Sequence, residues 1–259
     1  MTRQILVGGV PMGGGAPVVI QSMLNTKTTD VEGSLSQIRQ LAAAGCQVAR
    51  LAVPNMESAR GFGEICKESP LPLVADIHFD YKLAIAAAEG GAAKIRINPG
   101  NIGSEDRVKA VVDVCKQRHI PIRIGVNGGS LDKRLLEKYG HPTAEALVES
   151  AFSHLELLEK QGFYDTCVSM KSSTVPTMVK AARLFRERCD YPLHIGVTET
   201  GPVKQGLIKS AMGIGALLLD GIGDTIRVSL TDDPVQEVYA AKDILKAAGL
   251  RKEGVNIIS

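Results

Sequence analysis

The chain has 259 residues, enough for one large α/β domain or two small ones. Its formal net charge of +2 at pH 7 is too small to indicate a nucleic-acid partner or an acidic membrane surface. No apolar run is long enough to span a membrane, and the first residues begin no signal peptide. We therefore expect a soluble, cytoplasmic protein with reduced, scattered cysteines, at Cys46, Cys66, Cys115, Cys167 and Cys189.

The predicted elements are one hairpin followed by eight strand–helix units. Residues 5–7 and 10–16 are predicted to form the hairpin. The strands are predicted at residues 18–22, 47–53, 73–78, 93–98, 121–126, 166–171, 193–198 and 225–230. Helices are predicted at about residues 33–44, 56–67, 81–89, 104–119, 147–158, 176–188 and 234–248. A further helix, before the eighth strand, is predicted to run through residues 214–219. A longer connection, residues 127–143, follows the fifth strand.

This alternation predicts the fold class. Strands of β-branched residues separated by amphipathic helices indicate right-handed crossovers and a parallel sheet. Eight such units in about 250 residues predict a closed (β/α)8 TIM barrel that forms a single domain over residues 1–259. An open doubly wound sheet is the alternative, but no Gly-x-Gly-x-x-Gly motif follows the first strand. We expect the N-terminal hairpin to close the amino-terminal end of the barrel.

The fourth strand carries an unusual set of polar side chains. Lys94, Arg96 and Asn98 alternate with isoleucines, so a period of two places all three on one face. Arginines recur in the second, fifth and eighth strands, as Arg50, Arg123 and Arg227. Because active sites of such barrels lie at the carboxyl ends of the strands, the four arginines predict a ring of positive charge in the mouth, the open carboxyl-terminal end of the barrel.

Other polar residues are predicted to join this ring. The full set is Gln21, Asn25, Arg50, Asp76, His78, Arg96, Asn98, Arg123, Asn127, Lys171, Thr198, Glu199, Arg227 and Ser229. Burying more guanidinium than carboxylate is costly unless an anion completes the site. Guanidinium groups also match phosphate oxygens in bidentate geometry. The pattern therefore predicts a small phosphate or diphosphate ester as the ligand.

Three assignments remain open at this level. Asp76, His78 and Asp80 could hold a divalent metal, although a hydrogen-bonded pair of Asp76 and His78 is the more common arrangement. Lys171 could form a Schiff base, although beside several arginines we favour a phosphate ligand. Glu199 is the best candidate for a general acid or base, and its alternative role is that of an arginine counter-ion.

With these residues assembled, the chain closely resembles the family of 4-hydroxy-3-methylbut-2-enyl diphosphate synthases, oxidoreductases of non-mevalonate isoprenoid biosynthesis. The resemblance covers essentially the whole chain and is carried by residues 19–23, 25–30, 75–80, 96–103, 122–127 and 221–230. It implies a barrel that binds 2-C-methylerythritol 2,4-cyclodiphosphate, which is opened by two-electron reduction and loss of water. It implies proton transfer by Glu199 and substrate contacts by Arg50, Asp76, His78, Arg96, Asn98, Arg123, Asn127, Lys171, Thr198, Arg227 and Ser229.

The resemblance also implies a cofactor and partners. The family carries a C-terminal domain in which three cysteines and a glutamate hold a 4Fe–4S iron–sulfur cluster, and those ligands are not in this chain. The chain is therefore expected to be either a truncated piece, which we favour, or a natural barrel-only form. We expect it to bind no metal or cluster, and to bind the substrate without reducing it. Ferredoxin or flavodoxin is the implied electron donor of the full-length enzyme. A homodimer is implied, in which the cluster domain of one subunit caps the barrel of the other.

Two rival functions remain. The first is a non-redox enzyme, either an aldolase that uses Lys171 or a transferase of the dihydropteroate-synthase kind. The second is a phosphate-binding module without catalytic activity.

Overall fold

The computed structural model describes residues 1–251 of the chain, so the last residues of the predicted domain lie outside the described part. An antiparallel hairpin comes first, β1 (Ile5–Val7) paired with β2 (Val10–Met12). The eight parallel strands that follow are β3 (Val19–Met23), β4 (Val48–Ala52), β5 (Leu73–Asp76), β6 (Lys94–Ile97), β7 (Ile122–Asn127), β8 (Thr166–Lys171), β9 (His194–Ile195) and β10 (Thr225–Ile226).

These strands close into a barrel. Seven pairings run in the order β8-β7-β6-β5-β4-β3-β10-β9. A parallel bridge between Val168 and Leu193 joins the two ends of that order. The predicted (β/α)8 TIM barrel is therefore confirmed.

Helices cover the outside of the barrel. They are α1 (Val31–Ala44), α2 (Met56–Glu68), α3 (Tyr81–Glu89), α4 (Pro99–Ile102), α5 (Glu105–Gln117), α6 (Lys133–Tyr139), α7 (Ala144–Glu159), α8 (Val175–Arg186), α9 (Val203–Leu219) and α10 (Pro234–Ala247). The main core lies between these helices and the outward faces of the strands, with Ile38, Phe62 and Leu147 fully buried in it. No helix among residues 1–251 has both the length and the apolar character that a membrane span requires.

The predicted boundaries differ from the structure in two regions. The last two strands were predicted to reach residues 198 and 230, but β9 and β10 pair over only two residues each. Beyond Ile195 the backbones of the two chain segments come very close. A Cβ added to Gly196 would lie only 2.4 Å from the carbonyl oxygen of Arg227. The short helices α4 and α6 were not predicted, since neither is long enough to show a helical period.

The hairpin closes the amino-terminal end of the barrel, as predicted. Val7 and Met12 are fully buried against inward side chains at the lower ends of the barrel strands, among them Val48 and Cys167. Asp224, in the turn before β10, fastens the chain start, accepting hydrogen bonds from Thr2 Oγ1 at 2.7 Å and from the Leu193 amide at 2.8 Å. The carboxyl-terminal end of the barrel is left for the site.

Candidate active site

Asp76, the last residue of β5, is the carboxylate around which one side of the mouth is built. Its Oδ1 accepts from Arg96 Nη1 at 3.1 Å, and its Oδ2 lies 3.6 Å from Arg50 Nε and 3.3 Å from His78 Nε2. Burial by itself would raise the pKa of Asp76, but Arg50, the His78 hydrogen bond and Arg96 together hold it well below its usual range. Asp76 is therefore ionised and shared among three donors.

A methionine joins two of the predicted arginines. Met23, at the end of β3, places its sulfur 2.7 Å from Arg50 Nη2 and 3.8 Å from Arg227 Nη1. Burial lowers the pKa of Arg50 to about 10, Asp76 opposes that shift, and Arg227 and Arg96 reinforce it. Met23 was not predicted as a site residue because a thioether carries no charge. Its side chain nevertheless brings two guanidinium groups to one point.

Arg96 crosses the neighbouring strand at a glycine. An added Cβ at Gly125 in β7 would lie 2.4 Å from Arg96 Nε and 2.5 Å from Nη2, so the guanidinium occupies the space of a side chain. When the Asn127 amide is oriented to satisfy both of its atoms, its oxygen accepts from Arg96 Nη2 at 3.2 Å. Asn127 and Asp76 therefore hold Arg96 from two sides.

Arg227 has a carboxylate partner that sequence reasoning missed. Glu237, in the first turn of α10, lies 3.2 Å from Arg227 Nη2 and 3.3 Å from Nε, and it is only 4% exposed. The helices of a TIM barrel run antiparallel to its strands, so each helix begins near the mouth. An acidic residue in the first turn after Pro234 was the signal that could have identified it.

The two remaining cations, Arg123 in β7 and Lys171 at the end of β8, are both buried. Arg123 is 0% exposed, and its three guanidinium nitrogens have no hydrogen-bond partner among the described residues. The pKa of Lys171 is far below its ordinary value because the amine is buried and because Arg50, Arg227, Arg123 and Arg96 all repel its charge. Burying cations in this way is costly unless an anion completes the cluster.

Glu199 follows β9 and stands at the rim with a strained backbone. Its φ of 53° is in the left-handed region, which non-glycine residues rarely adopt. The next residue, Thr200, is buried and donates from Oγ1 to the Ser229 carbonyl oxygen at 2.7 Å. This bond ties the loop after β9 to the loop after β10. The strain is consistent with a functional position for the exposed Glu199 carboxylate.

A cavity of about 640 Å³ opens beside Lys171 and Glu199. Four predicted residues line it, namely Asn127, Lys171, Thr198 and Glu199. Hydroxyl groups of the loop after β8 and the ring of His141 also line it, and these were not predicted. Lys171 therefore faces an open, polar space large enough for a small phosphorylated molecule.

Some predicted residues lie elsewhere or already have a partner. Lys94 shares its strand face with Arg96, but it lies at the closed end, 3.7 Å from Met12 Sδ and 0% exposed. The sequence predicted only its strand face, because a period of two specifies the face of a strand and not the height in the barrel. Asn25 accepts a hydrogen bond from Gln37 Nε2 at 2.6 Å, and Gln21 is 1% exposed inside the barrel.

Asn98 and Ser229 lie near the mouth, but the polar atoms of their side chains are largely buried. Asn98 is buried and accepts from the Gly100 amide at 3.1 Å, so it caps α4. Ser229 Oγ is buried without a hydrogen-bond partner among residues 1–251. Both side chains lie at predicted strand ends.

The described residues do not form a metal or cluster site. Within residues 1–251, no three His, Cys, Asp or Glu side chains converge. Asp80 Oδ1 instead caps α3 by accepting from the Lys82 amide at 2.9 Å. The five cysteines are free, and those in the barrel and its core are buried singly. A 4Fe–4S cluster therefore does not fit this part of the chain.

Relatives of known name are similar to the chain over its whole length. It is 57% identical over 258 residues to the 4-hydroxy-3-methylbut-2-en-1-yl diphosphate synthase (flavodoxin) of Geobacter sulfurreducens, which covers 100% of this chain and 73% of that protein. A protein of the same name from Thermodesulfovibrio yellowstonii is also 57% identical over 258 residues, covering 100% of this chain and 74% of that protein.

Solved structures share the fold at much lower identity. The dihydropteroate synthase of Yersinia pestis has a TM-score of 0.67 at 13% identity, covering 96% of this chain and 100% of that chain. A truncated 3-deoxy-D-arabino-heptulosonate 7-phosphate synthase from Thermotoga maritima has a TM-score of 0.65 at 15% identity, covering 96% and 94%. At these identities the similarity supports the fold alone.

Family membership follows from the sequence match and not from these distant structures. Residues 2–242 match the GcpE TIM-barrel domain. The arginines, the aspartate and the glutamate described above all lie within that range. The chain therefore belongs to the GcpE family, and it forms that family's TIM-barrel domain.

Proposed function

We propose that this barrel binds 2-C-methylerythritol 2,4-cyclodiphosphate as the substrate-binding domain of a 4-hydroxy-3-methylbut-2-enyl diphosphate synthase. The reaction consumes the cyclic diphosphate, two electrons and two protons, and it produces a linear allylic diphosphate and water. Two named relatives are flavodoxin-dependent synthases of this product. The protein would act in the cytoplasm in isoprenoid biosynthesis.

The observation that carries the proposal is the charge balance of the mouth. Five cationic side chains meet there, while the buried carboxylates facing them are Asp76 and Glu237. Such a surplus is stabilised by a multiply charged anion, and guanidinium groups bind phosphate oxygens through paired hydrogen bonds. In the proposal the diphosphate is held by Arg50, Arg96, Arg123, Lys171 and Arg227.

Uncharged donors and the Asp76–His78 pair would orient the carbon part of the substrate. His78 is half exposed above Asp76 and within reach of a substrate hydroxyl. Asn127 and Thr198 line the cavity beside Lys171, and Asn98 and Ser229 complete the proposed set. Fixing the carbon skeleton matters because reduction and loss of water must occur at specific carbon–oxygen bonds.

Glu199 is proposed to transfer a proton. Its carboxylate shares the cavity with Lys171, and its strained backbone holds it at the rim. Protonation of a leaving hydroxyl converts it into water, which is the better leaving group. No other carboxylate lines this cavity among the described residues.

Electrons would come from outside the barrel. Because residues 1–251 do not fit a 4Fe–4S cluster, we assign no step of the reaction to such a group in this chain. Flavodoxin appears in the names of the relatives, and ferredoxin is the other donor that we consider. We further propose a homodimer as the functional form, and binding without reduction for the chain alone.

Calorimetric titration with the cyclodiphosphate tests the proposal. Arg96→Ala removes a guanidinium held by Asp76 and Asn127, and it is expected to weaken binding by about 2 kcal/mol. Arg183→Ala is the matched control, since Arg183 forms an exposed pair with Asp220 far from the mouth. Absence of binding to the wild-type chain, or equal affinity for the two variants, would refute the proposed site.

A second candidate function is an aldolase, favoured by one observation. The buried Lys171 has a pKa lowered by burial and by four arginines, as amines that form Schiff bases require. Treatment with borohydride in the presence of phosphorylated aldehydes would trap an adduct at Lys171. An adduct located there by mass spectrometry would favour the aldolase, and its absence with every aldehyde would exclude it.

A further inference from the structure

Glu237 is the most completely bonded carboxylate near the mouth. Its Oε1 accepts from Arg227 Nη2 at 3.2 Å and from the Leu230 amide at 3.0 Å. Its Oε2 accepts from Arg227 Nε at 3.3 Å and from Ser22 Oγ at 3.2 Å. The carboxylate therefore connects β3 and the segment after β10 to the start of α10.

These bonds involve one edge of the Arg227 guanidinium and not the other. A guanidinium presents Nε and Nη2 along its side edge, and Nη1 and Nη2 along its end. Glu237 occupies the side edge with both oxygens. The end of the group stays turned to the mouth, where Nη1 lies 3.8 Å from Met23 Sδ and Arg50 Nη2 lies 2.7 Å from the same sulfur. Met23 Sδ therefore lies between the end of Arg227 and the side edge of Arg50, whose Nε is 3.2 Å from the sulfur.

We propose that Glu237 is a positioning residue for anion binding, which acts by holding the end of Arg227 toward the diphosphate beside Arg50. This inference depends on the proposed function, because it assumes that the mouth binds a diphosphate. Glu237 itself does not touch the substrate. Its effect passes through the orientation of Arg227.

The negative charge of Glu237 and its proposed positioning of Arg227 predict opposite effects of Glu237→Gln on anion affinity. Glu237→Gln removes a negative charge from the mouth, so the Coulomb term alone would make an anion bind more tightly. A glutamine side chain has one acceptor oxygen and one NH2 group in place of the two carboxylate oxygens. It therefore cannot accept from both Nε and Nη2 of Arg227, which loses its bidentate partner and turns more freely. If Glu237 acts by position, affinity for the cyclodiphosphate falls, and we expect a loss of about tenfold or more.

The experiment is a double-mutant cycle read by calorimetry with the cyclodiphosphate. The variants are Arg227→Ala, Glu237→Gln and the combination of both. We expect Glu237→Gln to weaken binding in the wild-type background and to have little effect once Arg227 is absent. Asp220→Asn is the matched control, because it removes a carboxylate from an exposed arginine pair outside the site.

Glu237→Asp provides a second variant of unchanged charge. It is expected to weaken binding as well, since the shorter side chain reaches Arg227 less well, and it keeps the test valid if the glutamine variant does not fold. Circular dichroism and urea unfolding establish that each variant is folded. Tighter or unchanged binding by the folded variants, or an equal loss with and without Arg227, would overturn the inference. Failure of the wild type to bind would instead refute the proposed function.

Discussion

At the scale of single residues, the main feature is a set of buried cations that repel one another. Lys171 is the clearest example of this repulsion, because burial and four arginines all lower its pKa. A diphosphate would reverse the balance around it, since the added negative charge favours the ammonium form. Binding and protonation of Lys171 are therefore coupled.

We accordingly predict that cyclodiphosphate binding takes up protons and weakens as the pH rises. Because the pKa of Lys171 is lowered in the free protein and raised by the anion, the bound state holds more protons between those two pKa values. Titrations at one pH in Tris and in PIPES, whose ionisation enthalpies differ, measure this uptake. The uptake should be smaller in Lys171→Met. An identical heat in both buffers for the wild type would show that binding does not change the protonation of Lys171, which would contradict the prediction.

Lys94 shows the same effect at the closed end of the barrel. Burial lowers its pKa from 10.5 to about 7, and Arg123 and Arg50 contribute in the same direction. The unfolded chain then binds more protons between pH 7 and pH 10.5, so this residue makes the free energy of unfolding rise with pH in that window. A neutral side chain of similar length would not have this dependence.

We predict that Lys94→Met stabilises the protein at pH 7 by about 1 kcal/mol or more, because it removes a buried charge without leaving a cavity. Urea unfolding at pH 7 and pH 9 should show a smaller gain with pH in the variant than in the wild type. Lys109→Met, at an exposed position, is the control and should follow the wild type. A destabilised Lys94→Met variant would contradict this account of the buried amine.

At the scale of elements, the shape of β7 decides where the arginine of β6 can lie. Arg96 crosses β7 at Gly125, where a Cβ would come within 2.4 Å of its Nε. A side chain in that place would push the guanidinium away from Asp76 and Asn127. The backbone of one strand thus determines where the guanidinium of the next strand lies in the proposed anion site.

Gly125→Ala is therefore expected to reduce cyclodiphosphate affinity by about tenfold while changing stability little, since the end of a flexible side chain can move. Calorimetry and urea unfolding measure the two effects separately. Gly215→Ala is the matched control, because nothing lies within 4 Å of its added Cβ. Unchanged affinity in Gly125→Ala would mean that the position of Arg96 over β7 does not matter for binding.

At the scale of the whole molecule, the two ends of the barrel have different tasks. The hairpin and Asp224 close the amino-terminal end with buried contacts. The carboxyl-terminal end carries the cations and the cavity. In barrels of this kind the first end contributes stability and the second contributes chemistry.

This division predicts that Asp224→Ala lowers the free energy of unfolding by about 1–3 kcal/mol, because the Leu193 amide and Thr2 lose their half-buried acceptor. Affinity for the cyclodiphosphate should not change. Asp190→Ala is the control, since its pair with Arg3 is exposed and worth less than about 1 kcal/mol. Weaker ligand binding in folded Asp224→Ala would show that the two ends are coupled.

Sequence alone was enough for the barrel, the closing hairpin, the family and the identity of most charged groups in the mouth. The alternation of strands and helices permits few topologies, and parallel strands bring their carboxyl ends together wherever the units are placed. Residues at strand ends, such as Arg50, Asp76 and Arg227, could therefore be identified without coordinates.

Only the tertiary structure decided which partner each charge has and how deep it lies. Asp76 serves two arginines at once, Glu237 reaches Arg227 from the start of a helix, and Lys94 lies at the closed end of the barrel. These facts depend on the stagger of neighbouring strands and on the reach of side chains across the barrel. A period along one strand records neither quantity, because it specifies a face and not a height or a neighbour.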